Sequence, residues 1–283
     1  MTLTEPELTS LAGSYDIISL GMTADNVRRA RHGARTTFVR VADVPADVDA
    51  AATIAPAAGE IRIVGVPVSR AAAVARVAAV AAAASGTPVS GFSLSDLEAL
   101  AAHESITLRA LLEELRATGL ELVADAVLDR LQDVRRSIEE VNIAGLSLAR
   151  LTIDRVASSD PLPQLKEVAD LQRAVGVLRA FAPLPRRVNP AVPTTGYEDV
   201  KRVALARVVV EDVPSIQVDW ALYGPKLAQV ALTMGADDLD AVTADDAAPE
   251  GHRRAPLEEV RRNIRAAGQE PVERNGRFEP LTR

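Results

Sequence analysis

The sequence contains no cysteine in 283 residues, and its only histidines are His32, His103 and His252. A disulfide bond and an iron–sulfur cluster held by cysteine thiolates are therefore both excluded. The three histidines lie far apart in the chain and have no spacing typical of a zinc site. The chain also has no Gly-x-Ser-x-Gly, Gly-x-Gly-x-x-Gly or Walker-type loop. We therefore predict no metal ligand and no catalytic residue.

Aromatic residues are scarce, at 3% of the chain, so the core must be built mainly from Ala, Val, Leu and Ile. Positive charge is also in deficit, with a net charge of −7, which argues against binding to nucleic acid. The basic runs Arg186–Arg187 and Arg253–Arg254 are short, and we interpret them as solvated surface.

Long apolar runs are missing too. The longest apolar stretch, Ala71–Ser85, is interrupted by Arg76 and is too short to span a bilayer. The first residues lack the basic start and apolar run of a secretory signal. We expect a cytoplasmic protein that contacts neither membrane nor nucleic acid.

What the sequence does contain is a repeated alternation of strand and helix patterns, which is typical of α/β folds. We predict a (β/α)8 TIM-like barrel forming a single domain over residues 1–283, with a leader helix in 1–35, the barrel in 36–250 and a C-terminal helix and tail in 251–283. The segment between Val41 and Ile61 is rich in Pro and Ala, so the barrel could be incomplete or partly open at its first strand–helix unit. The predicted strands are Thr36–Val41, Ile61–Val66, Thr87–Ser93, Leu120–Val127, Leu148–Val156, Arg179–Leu184, Ser215–Trp220 and Asp238–Val242.

Polar residues on these strands are candidates for a ligand site, because sites in such barrels collect at the C-terminal ends of the strands. Period-two alternation turns Thr152 and Asp154 toward the lumen on one strand, and Gln217 and Asp219 on another. Arg40 is a candidate inward cation that could neutralise Asp154 and Asp219. Two interpretations stay open: a buried ion-pair network that plugs the barrel, or a retained ligand site.

Two further features lie beside these strands. Trp220 is either a packing residue at the rim or a platform that stacks on a purine or benzoate ring. Asp237, Asp238 and Asp240 are either a cluster for a hard cation or a solvated, helix-capping turn after Gly235. The candidate ligand-binding residues at the barrel mouth are Arg40, Thr152, Asp154, Gln217, Asp219, Trp220, Asp237 and Asp238.

The block Tyr197–Val242 carries an ordered set of motifs, at Ala204–Arg207, Ile216–Trp220, Gly224–Leu232 and Gly235–Leu239. It resembles the C-terminal barrel segment of the radical S-adenosylmethionine (SAM) enzymes of menaquinone and deazaflavin biosynthesis: aminofutalosine synthase, cyclic dehypoxanthine futalosine synthase and the deazaflavin precursor synthase. Leu20–Phe38 is similar to the leader helix of that family, and Glu270–Arg274 is similar to its closing motif.

This sequence differs from that family at the positions that bind the iron–sulfur cluster and SAM there. The family carries a CxxxCxxC loop after the first strand, whereas Ala42–Ala57 contains no thiol. A Gly-rich run that lets the backbone approach SAM is replaced here by Val123–Val127. The asparagine of the family's Asn-Asp pair is replaced by Asp237. We therefore expect a protein with no cofactor, a pseudoenzyme that makes no radical.

Three hypotheses about function remain. The first is a non-catalytic protein of the futalosine pathway of menaquinone biosynthesis, acting as a partner or regulatory subunit of an active radical SAM homologue, or as a homodimer. The second is a non-radical enzyme or binder that takes a futalosine- or chorismate-derived metabolite at the barrel mouth. The third is a relic fold without a ligand.

Overall fold

The computed structural model describes residues 4–47, 54–247 and 255–281. Its parallel strands close into a barrel in the order β1-β2-β3-β4-β6-β7-β8-β9, and β9 pairs back onto β1. The short β5 pairs with β4 just before β6 does, so β5 and β6 together fill one position in the wall. The strands are β1 Arg35–Pro45, β2 Glu60–Val64, β3 Val89–Ser93, β4 Leu122–Val127, β5 Ser147–Leu148, β6 Leu151–Ile153, β7 Ala180–Pro185, β8 Ser215–Asp219, β9 Asp238–Thr243 and β10 Glu270–Arg274.

Helices surround the barrel, and two more precede it. Local signals explain where several of them begin and end: Asp16 caps α2 by accepting a hydrogen bond from the backbone of Ser19, and Gly33, at φ 62°, ends it. The helices are α1 Glu5–Gly13, α2 Ile17–His32, α3 Arg70–Ala83, α4 Leu94–His103, α5 Leu108–Ala117, α6 Val134–Ile143, α7 Leu162–Val175, α8 Gly196–Val209, α9 Trp220–Thr233 and α10 Pro256–Ala266. No helix in the described part of the chain combines the length and the apolarity needed to cross a bilayer.

The barrel is closed, so the prediction of a partly open wall is wrong. The C-terminal half of β1 pairs with β2, from Val41 opposite Glu60 to Pro45 opposite Val64, and the other edge of β1 pairs with β9. The described residues between β1 and β2 form no helix, and residues 48–53, within the predicted loop Ala42–Ala57, lie outside the described part.

Two helical patterns differ from expectation. The pattern that begins near Ser95 predicts one helix running to Gly119, but α4 ends at His103 and α5 begins at Leu108. Ser105 has a φ of 55° in the break, and Thr107 starts the new helix by accepting a hydrogen bond from the Ala110 backbone. The pattern over Gly224–Met234 predicts a second helix, but α9 already starts at Trp220, and it is kinked at Gly224, which has a φ of 73°.

A tenth strand is absent from the sequence prediction, which gave only a polar tail after the last helix. The strand β10 runs parallel to the first half of β1, with Arg35 opposite Glu270 and Val39 opposite Arg274. It therefore shares one edge of β1 with β2 and lies toward the N-terminal ends of the strands. This position delivers Arg274 to the interior of the barrel.

Candidate functional site

The centre of the lumen is occupied by arginines that share one carboxylate. Arg62 donates two hydrogen bonds to Asp240, at 2.8 Å and 3.1 Å, and Arg150 donates to the same carboxylate. All three side chains are buried. Burial alone would raise the pKa of Asp240, but Arg150 and Arg62 outweigh that effect and hold this pKa well below its ordinary value. Asp240 is therefore ionised and its charge is satisfied within the protein.

A second carboxylate, Asp238, is satisfied nearer the N-terminal ends of the strands. The Arg274 guanidinium donates to both of its oxygens, at 2.7 Å and 2.6 Å. Gln217 donates its side-chain amide to Asp238 at 2.7 Å, and Thr37 donates its hydroxyl. This bidentate geometry is the strong form of an arginine–carboxylate contact. The interior of the barrel is thus filled by an ion-pair network whose cations are Arg62, Arg150 and Arg274.

Arg40 does not belong to this network. Its Nε bonds Glu273 at 2.9 Å and its Nη1 bonds Asp246 at 2.7 Å. Thr37 of the same strand contacts lumenal Asp238, so Arg40, three residues later, lies on the opposite face of β1. The expectation that Arg40 neutralises Asp154 and Asp219 is therefore wrong.

The candidates on β6 lie at or near the mouth. Asp154 forms a bidentate pair with Arg187, whose hydrogen bond lowers the pKa of that carboxyl. Thr152 bonds only weakly, donating to the Ala126 carbonyl at 3.4 Å. Arg186 bonds Asp125 at 2.8 Å, so the run Arg186–Arg187, which is exposed as expected, also forms ion pairs at the mouth.

The candidate residues in and after β8 lie in three different environments. Gln217 points into the lumen while Ile216 and Val218 lie in the hydrophobic core, as alternation predicts. Asp219 caps α9 by accepting a hydrogen bond from the Leu222 backbone at 2.9 Å. Trp220 is buried in the core, in agreement with the packing interpretation.

The three aspartates around β9 do not converge. Asp237 accepts a hydrogen bond from the Ile216 backbone and pairs with buried Arg207, outside the lumen, whereas Asp238 and Asp240 each hold different arginines. The turn is thus neither a cation cluster nor solvated. Within the described residues, no group of three or more potential ligands is arranged to hold a metal ion.

Above the network, at the C-terminal ends of the strands, a cavity of about 640 Å³ opens to solvent. Asp125 lines it and has one buried oxygen, Oδ1, without a hydrogen-bond partner in the described part of the chain. The other charged residues that line this mouth cavity are Asp43, Arg62, Asp96, Arg130, Arg150, Asp154, Arg186, Arg187 and Asp219.

The sequence contained a signal for the lumenal arginines that the prediction did not use. The alternation that turns Thr152 inward also turns Arg150 inward, two residues earlier. On β2, the same rule puts Arg62 on the face opposite the core residues Ile61 and Ile63. The partner, Asp240, was considered only as part of a cation cluster.

The residues present do not fit an iron–sulfur cluster, because such clusters are held by thiolates and the chain has no cysteine. Ala124 and Asp125 of β4 line the mouth cavity, where the resemblance predicts a Gly-rich run for close approach of SAM. Arg62 and Arg150 also line this cavity from below. No reaction step through either group is supported by this donor set.

The family model described as the CofH/MqnC C-terminal region matches residues 183–283. The aminodeoxyfutalosine synthase of Streptomyces coelicolor is 40% identical over 96 residues, 31% of this chain and 24% of that protein. The cyclic dehypoxanthine futalosine synthase of the same organism is 25% identical over 213 residues, 66% of this chain and 53% of that protein. The 5-amino-6-(D-ribitylamino)uracil–L-tyrosine 4-hydroxyphenyl transferase of Methanopyrus kandleri is 32% identical over 138 residues, 43% of this chain and 37% of that protein. The alignments thus span between a quarter and about half of these relatives.

Solved structures support the fold. Methylornithine synthase superposes with a TM-score of 0.68 at 13% identity, covering 96% of this chain and 95% of that one. The FeFe-hydrogenase maturase HydG from Carboxydothermus hydrogenoformans superposes with a TM-score of 0.62 at 11% identity, covering 96% of this chain and 76% of that one. The chain is therefore a cysteine-free (β/α)8-barrel protein whose sequence is similar to the futalosine synthases and the hydroxyphenyl transferase named above.

Proposed function

We propose that this protein is a non-catalytic relative of the futalosine-pathway enzymes of menaquinone biosynthesis, and that it acts as a partner or regulatory subunit of an active relative. The observation that carries the first half of this proposal is the lumenal pairing of Arg62 and Arg150 with Asp240. The reactants of barrel enzymes bind at the C-terminal ends of the strands. Here Arg62 and Arg150 line the cavity at that end and pair with Asp240, and no thiol is present to bind a cluster.

The second half of the proposal is supported by apolar side chains around the mouth cavity. Val66 is 64% exposed and Leu222 is 48% exposed, and both line the cavity. Val68 is 81% exposed and Val188 is 71% exposed, each within two residues of a lining residue in the sequence. Groups of exposed apolar side chains at one place on a surface mark protein–protein contact sites. We call Val66, Val68, Val188 and Leu222 the mouth rim.

Native mass spectrometry with the futalosine-pathway radical SAM enzyme of the same organism tests this proposal. We expect a complex at micromolar concentration that the double variant V66S/V68S weakens at least tenfold, since each truncation removes apolar contact area. The control is Ile143→Ser, an exposed apolar residue at the far end of α6. Failure of the wild type to associate, or equal weakening by the control, contradicts the proposal.

A second candidate function is a binder, or a non-radical enzyme, for a futalosine- or chorismate-derived metabolite at the mouth. The specific observation that favours it is the buried Oδ1 of Asp125, which has no hydrogen-bond partner among the described residues and belongs to a cavity of about 640 Å³ that Arg130 also lines. Such cavities are large enough for small metabolites. In thermal-shift screening, a true ligand stabilises the wild type and the exposed control D170A, but not D154A or D219A. If no such compound raises the melting temperature, this alternative is rejected.

A further inference from the structure

A second cavity of about 530 Å³ lies outside the barrel, and we call it the outer pocket. It is bordered by α1, by the N-terminus of α7 and by the first turns of α8. The residues that matter here are Tyr15, Asp160, Tyr197, Glu198, Lys201 and Arg202. This volume is within the range of small-molecule sites.

Arg202 is the unusual member of this pocket. It is only 4% exposed, yet its guanidinium makes no ion pair within the described residues. Its Nη1 donates a hydrogen bond of 3.1 Å to the neutral amide oxygen of Gln164. An arginine stays protonated in proteins, so its buried charge requires compensation.

Other buried arginines of this chain receive that compensation from carboxylates. Arg28 pairs with Asp25, Arg207 with Asp237, and the lumenal arginines with Asp238 and Asp240. Buried charges in proteins are ordinarily paired in this way. Arg202 therefore lacks a counter-ion that the chain supplies to comparable residues.

The nearby acids do not form an ion pair with Arg202. Asp160 accepts a hydrogen bond from the Leu162 backbone, and Glu198 accepts one from the Thr195 backbone, so both cap helices. Burial lowers the pKa of Arg202, and Asp199 and Asp160 offset this effect only in part, from beyond ion-pair distance. Within the described residues, no carboxylate therefore pairs directly with this guanidinium.

The rest of the pocket suits an anion attached to a ring or a short apolar body. Lys201 donates to the Ser14 carbonyl at 2.8 Å and lies 5.9 Å from the centre of the Tyr15 ring. The Tyr197 hydroxyl donates to the Tyr15 carbonyl at 3.1 Å, which links the two aromatic residues. The pocket is thus lined by two cations, Lys201 and Arg202, and by two aromatic residues, and the N-terminus of α8 adds a favourable field for an anion.

We propose that the outer pocket binds a small molecule that carries an oxyanion, a carboxylate or a phosphate, and that this group pairs with Arg202. Lys201 supplies a second positive charge, and the rings of Tyr15 and Tyr197 contact the body of the ligand. The site is separate from the mouth cavity and does not depend on the role proposed for it.

Isothermal titration calorimetry of the full chain tests this site with benzoate, inorganic phosphate and ribose 5-phosphate, and with neutral benzamide as the uncharged comparison. We expect saturable binding of at least one anion, with Kd below about 1 mM, and none of benzamide. Preference for benzoate identifies a carboxylate ligand, and preference for the phosphates identifies a phosphate ligand.

The variant Arg202→Met should weaken that binding at least tenfold, because it removes the charge and keeps the apolar stem. Arg173→Met is the matched control, since Arg173 lies on α7 in an exposed pair with Asp170, and it should leave the Kd unchanged. If Arg202→Met does not fold, Lys201→Met provides the same comparison, with a loss of at least threefold. Absence of binding by every anion, or equal affinity in the variant and the control, overturns the proposal.

Discussion

The barrel lumen and the outer pocket both bury arginine side chains, and they differ in how the charge is balanced. In the lumen, Arg62 and Arg150 converge on Asp240, and the three side chains satisfy one another. In the outer pocket, Arg202 has only the neutral Gln164 as a hydrogen-bond partner among the described residues. A buried arginine that pairs with a carboxylate of the protein needs no further counter-ion. A buried arginine without such a pair is able to bind an anionic ligand. The buried arginine without a carboxylate partner therefore lies in the outer pocket and not in the lumen.

The largest expected effect is the loss of the shared lumenal carboxylate. Asp240→Asn leaves two buried arginines without their counter-charge, so the free energy of unfolding should fall by about 3–5 kcal/mol. Urea denaturation followed by circular dichroism measures this. The matched control is Asp170→Asn, in an exposed pair with Arg173, which should cost less than about 1 kcal/mol. A loss at Asp240 as small as that of the control would show that the lumen is hydrated and open.

The same carboxylate predicts a dependence of stability on pH. The pKa of Asp240 is held well below its ordinary value, since Arg150 and Arg62 outweigh the effect of burial. Its contribution to stability is therefore fully present above the unfolded-state pKa of about 3.9, and is lost as pH falls through the lower folded-state pKa. Unfolding free energies measured from neutral pH downward should show a decline in the wild type that is shallower in Asp240→Asn. Parallel curves for the two proteins would contradict this assignment.

A smaller effect is expected at the mouth. Arg187→Gln removes the bidentate partner of Asp154, but Arg187 is about half exposed, so the cost at neutral pH should be about 0.2–1 kcal/mol. The folded-state pKa of Asp154, lowered by the Arg187 hydrogen bond, should rise toward its ordinary value in the variant. Chemical denaturation and NMR titration of the Asp154 carboxyl measure the two quantities. A cost above about 2 kcal/mol would show that the mouth is as dry as the lumen.

The smallest effect is expected where the charge is unbalanced. In the absence of ligand, Arg202→Met should change the free energy of unfolding by less than about 1 kcal/mol, because methionine replaces the packed stem and no ion pair is lost. Arg207→Met is the comparison, since Arg207 is fully buried and bonded to Asp237, and it should cost several-fold more. Equal losses in the free energy of unfolding for the two variants would contradict the view that Arg202, unlike Arg207, has no ion-pair partner.

Period-two alternation of side chains along single strands predicted many of the strands and some of the side chains that point into the lumen. It correctly separated Gln217 from Ile216 and Val218, and the same rule applied to Arg150 would have revealed the lumenal network. The choice of Arg40 as an inward cation was wrong, because which face of β1 is lumenal depends on pairing with β9 and β10, which a single strand does not encode.

Other features depend on contacts between distant parts of the chain. The strand β10 is short and polar, and only its pairing with β1 makes it a strand and brings Arg274 to Asp238. The outer pocket joins α1 to α7 and α8, which are far apart in sequence. Neither feature has a local pattern that a sequence analysis could detect.

Anaerobic reconstitution with iron and sulfide, followed by incubation with SAM and a reductant, tests the central claim most directly. We expect no stoichiometric iron–sulfur absorbance and no 5′-deoxyadenosine, because the chain offers no thiolate and fills its lumen with Arg62, Arg150 and Asp240. A protein that binds a full cluster and cleaves SAM would contradict it.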